Sequence, residues 1–407
     1  MRPAPDTSPS NRGFASPEEA LNAFCQRLKP VGVEAVPLTQ AAGRVLAVPA
    51  RADRDNPPCD VSAMDGYAVR LADLQQRSLE VASEAMIGQP PVALPPGKTI
   101  RIFTGAPVPS AAEAIIQREH VTEEPHQIVL RPFPKPPVRG LNIRPQGENA
   151  RSGEVVAASG TMITAAVVAT LASFGHVELS VYRRVRVGVI TTGNELVGPE
   201  ASAPPWRIRD SNGPGLAGLF APWNWVEVLS AVRVSDDRAA MKRVVEDALA
   251  RCDAILLTGG VSAGQYDFVP DVIAELGGQK IFHRLPMRPG APVLGAIGPR
   301  GQAILGLPGN PVSVMVTARR LGLGAMRRLA GFAEPHLRVP EVRLIEVDGK
   351  TMPNWWFRLV RLTGAGMAEL VPTRGSGDVV SLGQSDGFIE IPPDAAGEGP
   401  WPFYSWA

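Results

Sequence analysis

The chain has 407 residues and a net charge of +1, with 41 Lys and Arg against 40 Asp and Glu. This balance leaves no overall field to hold nucleic acid or an anionic membrane, so an anionic ligand must be bound by a local group of charges. The length predicts two to four folding units. The sequence shows no apolar run of about 18 residues and no signal peptide, and its three cysteines are widely spaced. These features predict a cytoplasmic protein with neither nucleic acid nor membrane as a partner.

The first half predicts a loose tail, a helical segment and a β-rich module. Residues 1–13 are the tail, and a helix starts in the segment 14–51, where Ser16 caps it and Pro17 occupies its first turn. Residues 52–151 contain short apolar runs broken by Gly and Pro, which each occur 41 times in the chain. Short apolar runs separated by Gly and Pro are typical of short strands joined by turns.

The second half predicts a helix, an α/β domain and a small β domain. Residues 152–182 read as a turn followed by an alanine-rich helix that ends at Gly175. Between 183 and 332, strands such as VRVGVITTG alternate with helices, which predicts a parallel sheet wrapped by helices in a doubly wound α/β domain. Residues 333–407 return to short strands, which favours a β barrel or a sandwich.

Polar and glycine residues follow three strands of the predicted sheet. Ligands of open α/β sheets bind at the carboxyl ends of the strands, so these turns predict a site for a phosphate-bearing ligand. Gly and Asn are also ordinary turn residues, so each turn taken alone could serve only to reverse the chain direction and not to bind a ligand. The candidates in these turns are Glu195, Gly259, Gly260, Ser262, Asp267, Pro308, Gly309, Asn310 and Pro311, with Asn310 as helix cap and free N–H groups behind it.

Charged residues near these turns indicate in more detail what the predicted site could bind. Arg284 and Arg288 lie four apart in a proline-rich segment, which fits either a clamp for phosphate, molybdate or tungstate or a solvated loop with salt bridges. The carboxylates that suit Mg²⁺ together with phosphate oxygens are Glu195, Asp236, Asp237 and Asp267. In the β-rich module, Asp65, Thr104 and Arg144 stand beside Gly or Pro. The five histidines are scattered, so a zinc site is not predicted.

Several long motifs together resemble the molybdopterin molybdenumtransferase family, MoeA, from about Ser16 to the end of the chain. In order, they are DVSAMDGYAVR, FTGAPVP, NIRPQGEN, TTGNELV, RDSNGP, TGGVSAGQYDFV, RPGAPV and GLPGNPVSV. The resemblance implies a homodimer whose subunits have a discontinuous elongated domain, a β-rich inserted domain, a molybdopterin-binding α/β domain and a C-terminal β barrel.

The resemblance also implies a reaction and a site shared between subunits. Family members insert molybdenum from molybdate into adenylylated molybdopterin and release AMP with Mg²⁺, and an adenylyltransferase is a possible partner. By similarity, the catalytic residues are Asp65, Glu195, Asp236 and Asp267, with Glu195 and Asp267 as Mg²⁺ ligands. The resemblance implies further site residues at Thr104, Arg144, Arg284, Arg288, Pro308, Pro311 and Ser376, and the turns themselves add Gly259, Gly260, Ser262, Gly309 and Asn310 as predicted substrate-binding residues.

The chain departs from the family pattern at charged positions. Many members have Lys-Pro-Gly-Lys-Pro where this chain has Arg288 to Pro292, so Ala291 replaces a lysine. Lysine is also frequent at Arg284, and aspartate at Asn149. These differences leave two alternatives to a molybdenum-inserting enzyme: a tungstate-specific homologue, and a non-catalytic pterin-binding scaffold like gephyrin. A nucleotide hydrolase resembling the competence-damage family is disfavoured by the SAMDGYAV motif.

Overall fold

The computed structural model describes residues 13–261 and 268–406. The chain divides into two compact units. The inserted unit comprises Pro49–Ala158 and Ala169–His176, and the main unit comprises Met1–Val48, Ser159–Val168 and Val177–Ala407. The finer division into an elongated, an inserted, an α/β and a barrel domain stays a prediction.

The inserted unit is rich in β structure, as its Gly and Pro punctuation predicts. Its six-stranded sheet has the order Ala114–Gln117, Gly66–Val69, Lys98–Ile102, Ser78–Ala85, Gln127–Leu130, Val121–Glu123. Two further antiparallel pairs join Ala50–Arg51 to Val155–Ala157 and Val61–Ser62 to Ile143–Arg144. The strand Gly66–Val69 is buried at every position and lies inside the sheet.

The main unit contains the predicted α/β sheet, but the sheet is mixed. Its order is Val226–Val234, Val185–Thr192, Ala254–Thr258, Ala303–Leu307, Leu294–Ile297, Gln279–His283. The first four strands are parallel, whereas the last two run antiparallel to their neighbours. The predicted parallel sheet is confirmed for the first four strands, and its other edge is antiparallel because the short turn between Ile297 and Ala303 allows a hairpin and leaves no room for a crossover helix.

The helices begin where the sequence signals predict. Ser16 accepts a hydrogen bond from the Glu19 N–H at 3.0 Å, and the helix that follows buries Leu21 and Phe24. A longer helical stretch runs from 311 to 329 with a π turn, Ala318–Gly322, in its middle. The α-helices are Pro17–Arg27, Ala165–Ser173, Asn212–Phe220, Arg238–Arg251, Val269–Glu275, Pro311–Thr317, Leu323–Leu329 and Val379–Gly383.

A closed β barrel forms the C-terminal part of the main unit. Around the barrel the strands are Trp355–Gly364, Met367–Leu370, Glu341–Leu344, Trp401–Ser405 and Gly387–Ile391, and the last pairs with the first. The short strand Met287–Arg288 joins Trp355–Gly364 in parallel and links the barrel to the α/β sheet. Paired Val33–Pro37 and Glu178–Tyr182 form a separate antiparallel ribbon. No helix of the described ranges combines the length and apolarity that crossing a membrane requires.

Candidate functional site

A cavity of about 720 Å³ opens at the carboxyl ends of the parallel strands. Three predicted turns meet there, because parallel strands all end at the same edge of a sheet. Its charged lining residues are Glu195, Arg209, Asp210 and Asp236, so we call it the acidic cavity. Gly259, Gly260, Gly309, Asn310 and Pro311 complete its predicted lining. The structure thus brings together most of the residues that were predicted from these turns.

Two glycines of the acidic cavity are required by the backbone. Gly259 and Gly260 have φ angles of 86° and 67°, in the left-handed region that favours glycine. A Cβ at Gly259 would lie 2.6 Å from the Thr192 Oγ1, which itself donates to the Thr258 carbonyl at 3.1 Å. The turn therefore presents bare backbone to the cavity, and a ligand can approach it closely.

The carboxylates of the acidic cavity are held in different ways. Asp236 Oδ2 accepts from the Asn194 N–H at 3.0 Å, and Asn194 Oδ1 accepts from the Asp236 N–H at 3.1 Å. These reciprocal bonds join the ends of two neighbouring strands. The Glu195 side chain is exposed and folds beside Gly193. Asp237 instead caps the helix Arg238–Arg251, because its Oδ1 accepts from the Ala240 N–H at 2.7 Å.

Asn310 stands at the start of the helix Pro311–Thr317, but the prediction that its side chain caps this helix is wrong. Its Nδ2 donates to the Ser376 Oγ at 2.8 Å. The prediction of free N–H groups also fails at Val312, whose N–H donates to the Ser376 carbonyl at 3.0 Å. The barrel loop that carries Ser376 is therefore packed against the helix start, a contact that sequence spacing does not reveal.

A second cavity of about 1040 Å³ lies on the other side of Asn310, which lines both cavities. Its ionisable lining residues are four cations and one anion, so we call it the basic cavity: Arg288, Lys350, Arg358, Arg374 and Asp348. Pro308, Ala291 and Ser376 also line it. The residues Arg288 to Pro292 and residues of the barrel strand Trp355–Gly364 line it together.

Three predicted residues of the α/β domain fall outside these two linings. Arg284 is exposed, has a φ of 68° and lines neither cavity, although its N–H donates to the Val293 carbonyl at 2.9 Å. Ser262 and Asp267 lie outside the described residues. Within the described ranges, no group of three His, Cys, Asp or Glu residues is arranged to hold a metal ion.

In the inserted unit, the structure joins Asp65 to Thr104. Asp65 Oδ1 accepts from both the N–H and the Oγ1 of Thr104, each at 2.8 Å. These bonds lower the pKa of the Asp65 carboxyl, with the backbone N–H as the main cause. The group is thus held as a carboxylate, which suits contact with a cation or a proton and does not suit a general acid.

Arg144 belongs to the same region of the inserted unit. The strand that carries it pairs with Val61–Ser62, and the Ser62 carbonyl accepts from the Gly105 N–H at 2.8 Å. Arg144 donates to the Glu148 Oε2 at 2.7 Å and to the Asn149 Oδ1 at 2.9 Å. The three motifs DVSAMDGYAVR, FTGAPVP and NIRPQGEN therefore come together in space.

Asp210 and Asn212 line the acidic cavity but were not among the predicted site residues. Buried Asp210 accepts from the Thr191 Oγ1 at 2.8 Å and from the Gly213 N–H at 3.0 Å. Asn212 donates to the Gly309 carbonyl at 2.8 Å and thereby ties two of the turns together. The signal available in the sequence is the polar run RDSN immediately before a glycine-rich helix.

The fold defines a multidomain α/β and β protein with a cavity at the end of its α/β sheet. Residues 15–175 match the family "MoeA N-terminal region (domain I and II)", and residues 188–328 match "Probable molybdopterin binding domain". The chain belongs to the molybdopterin molybdenumtransferase, or MoeA, family, as its motifs indicate.

Relatives named molybdopterin molybdenumtransferase span most of the chain. The relative from Nostoc sp. is 36% identical and aligns with 88% of this chain and 85% of its own length. The relative from Synechococcus elongatus is 34% identical, with 89% and 91% covered. The crystal structure of the molybdopterin biosynthesis MoeA protein from Pyrococcus horikoshii OT3 is similar with a TM-score of 0.80, 28% identity and coverage of 96% and 100%.

Proposed function

We propose that the protein transfers molybdenum from molybdate to adenylylated molybdopterin and releases AMP. The observation that carries this proposal is the pair of cavities of opposite charge that meet at Asn310. Relatives that share most of the chain are named for this transfer. The acidic cavity receives the phosphoanhydride, and the basic cavity receives the molybdate dianion.

The reaction has two parts that suit the two cavities. Water cleaves the phosphoanhydride, giving AMP and the phosphate of molybdopterin. The two dithiolene sulfurs replace oxygen ligands of molybdate, which leave as water. Fixed charges near both reacting centres lower the cost of this chemistry because they are already oriented before the substrate arrives.

The acidic cavity fits Mg²⁺ through the chemistry of its donors. Mg²⁺ usually keeps several waters and is bound by one or two carboxylates together with substrate phosphates. Glu195 and Asp236 supply such carboxylates. We also propose Asp267 as a Mg²⁺ ligand, as the sequence predicts. When bound, Mg²⁺ neutralises phosphate oxygens and makes the phosphorus more electrophilic.

The chain's own groups position the substrates. The bare turn at Gly259 and Gly260 lets the pterin substrate approach the sheet. Asp236, held by Asn194, orients a water or a substrate hydroxyl through its second oxygen. Arg288 and Arg374 hold molybdate oxygens, and Ser376 offers a hydroxyl beside them. Ser262 and Arg284 remain proposed substrate contacts.

The complete site is proposed to lie between two subunits of a cytoplasmic homodimer. Asp65, Thr104 and Arg144 of one subunit then act with Glu195 of the other. A molybdopterin adenylyltransferase is the proposed donor of the pterin substrate. Mixing Asp65→Ala with Glu195→Ala tests the shared site, because heterodimers carry one intact site. Activity should return after subunit exchange, and its absence after proven exchange would contradict the shared site.

The direct test of the function is AMP release by the full chain. Purified protein is incubated with adenylylated molybdopterin, molybdate and Mg²⁺, and AMP and protein-bound molybdenum are measured together. Release of AMP that depends on molybdate supports the proposal. Binding without release favours the pterin-binding scaffold, and comparable cleavage of simple dinucleotides favours a hydrolase. A competition titration between molybdate and tungstate then identifies the preferred oxyanion.

A further inference from the structure

Lys350 lines the basic cavity together with the residues Arg288 to Pro292. The segment Arg288 to Pro292 presents one cation, Arg288, while Ala291 contributes only a methyl group. Lys350 stands in the segment between the strands Glu341–Leu344 and Trp355–Gly364. The ammonium group therefore comes from a different part of the chain than the loop in which sequence reasoning places the cations.

Lys350 forms a long ion pair with its acidic neighbour Asp348, which has a closer partner in Arg358. Asp348 accepts from Arg358 through two hydrogen bonds of 2.8 and 2.6 Å, and the Arg358 guanidinium also lies 4.1 Å from the Trp356 ring centre. The Lys350 Nζ is 3.6 Å from the Asp348 Oδ2, which is beyond ordinary hydrogen-bond distance. Arg358 is thus the closer partner of Asp348, while Lys350 makes a longer ion pair with the same carboxylate.

We infer that Lys350 is a binding residue for the oxyanion substrate and supplies the cation that Ala291 lacks. The inference rests on the proposed function, because it assigns a partner to the same basic cavity. Lysine is a flexible point charge with three donors, which suits a tetrahedral dianion. The side chain is 71% exposed, so it has the freedom to move onto a ligand and the effect on affinity will depend on salt.

The test is calorimetric binding of molybdate to the full chain at low and high salt. Lys350→Ala should raise the Kd by about threefold to tenfold at low salt, and the difference should shrink at high salt, as for a solvent-exposed charge. Lys350→Arg should keep most of the affinity. The double variant Lys350→Ala with Ala291→Lys should recover it, because Ala291 lines the same cavity and the new ammonium replaces the lost one there.

The matched control is Lys242→Ala. Lys242 is also a solvent-exposed lysine, with its Nζ 3.4 Å from the Glu275 Oε2, and it lines neither cavity. Its removal should leave the Kd unchanged, and circular dichroism checks that each variant is folded. If wild type binds molybdate and Lys350→Ala binds equally well, the inference is wrong while the proposed function stands. If wild type neither binds molybdate nor releases AMP, both are wrong.

Discussion

Replacing Gly259 by alanine tests the tight turn that forms the acidic cavity. Alanine at a φ of 86° costs about 1–2 kcal/mol. Its Cβ would lie 2.6 Å from the Thr192 Oγ1, so that hydroxyl must move and lose its bond to the Thr258 carbonyl, at about 1 kcal/mol. Alanine also reduces the conformational freedom of the unfolded chain, which offsets about 0.4–1 kcal/mol of this destabilisation. We expect a net destabilisation of about 2 kcal/mol.

The assay is thermal unfolding of the full chain followed by circular dichroism. A loss of about 2 kcal/mol should lower the transition that includes the α/β sheet by about 4–8 °C. Gly309→Ala is the matched control in the same cavity, since its Cβ would meet no atom closer than 3.9 Å. We expect that control to change stability by less than about 0.5 kcal/mol.

A double-mutant cycle separates the backbone strain from the clash. In a Thr192→Ala background the crowded hydroxyl is absent, so Gly259→Ala should cost only about 1 kcal/mol. An equal cost in both backgrounds would show that the contact with Thr192 does not matter. No cost in either background would refute the claim that this turn requires glycine.

Three further predictions concern charge and burial. Glu390→Gln leaves buried Arg320 without the carboxylate that now lies 2.7 Å from its Nε, and urea unfolding should show that the free energy of unfolding falls by about 3–5 kcal/mol. The matched control is Glu398→Gln, which removes the exposed ion pair with Arg343 and should lower the free energy of unfolding by less than about 1 kcal/mol. The hydrogen bonds from Thr104 lower the pKa of Asp65 in the folded state, so they stabilise the folded protein while the carboxyl is ionised. This stabilisation is fully present above the unfolded-state pKa, and it is lost as the pH falls through the folded-state pKa. Acid unfolding of Asp65→Asn, which has no titrating carboxyl, should lack this contribution, whereas an unchanged acid profile would contradict it. Burial raises the pKa of the Cys25 thiol to about 12, so a thiol reagent at pH 8 should label Cys25 only after unfolding, and rapid native labelling would contradict its burial.

The sequence by itself determined the class of fold, the family and the individual elements. The helix cap at Ser16, the apolar strands and the turn glycines are local signals, because each depends on residues a few positions apart. The direction of the edge strand Leu294–Ile297 did not follow from the sequence, since an apolar strand has the same pattern whether it pairs in parallel or antiparallel.

Only the tertiary structure decided which distant groups meet at the site. Ser376 accepts hydrogen bonds from the Asn310 side-chain amide and the Val312 N–H, although it lies 66 residues after Asn310 in the chain. Asp210 and Asn212 tie the turns of the acidic cavity together, and Lys350 reaches the basic cavity from the barrel. Local patterns place a residue on a helix, strand or turn, but its partners across the chain are set by how these elements pack.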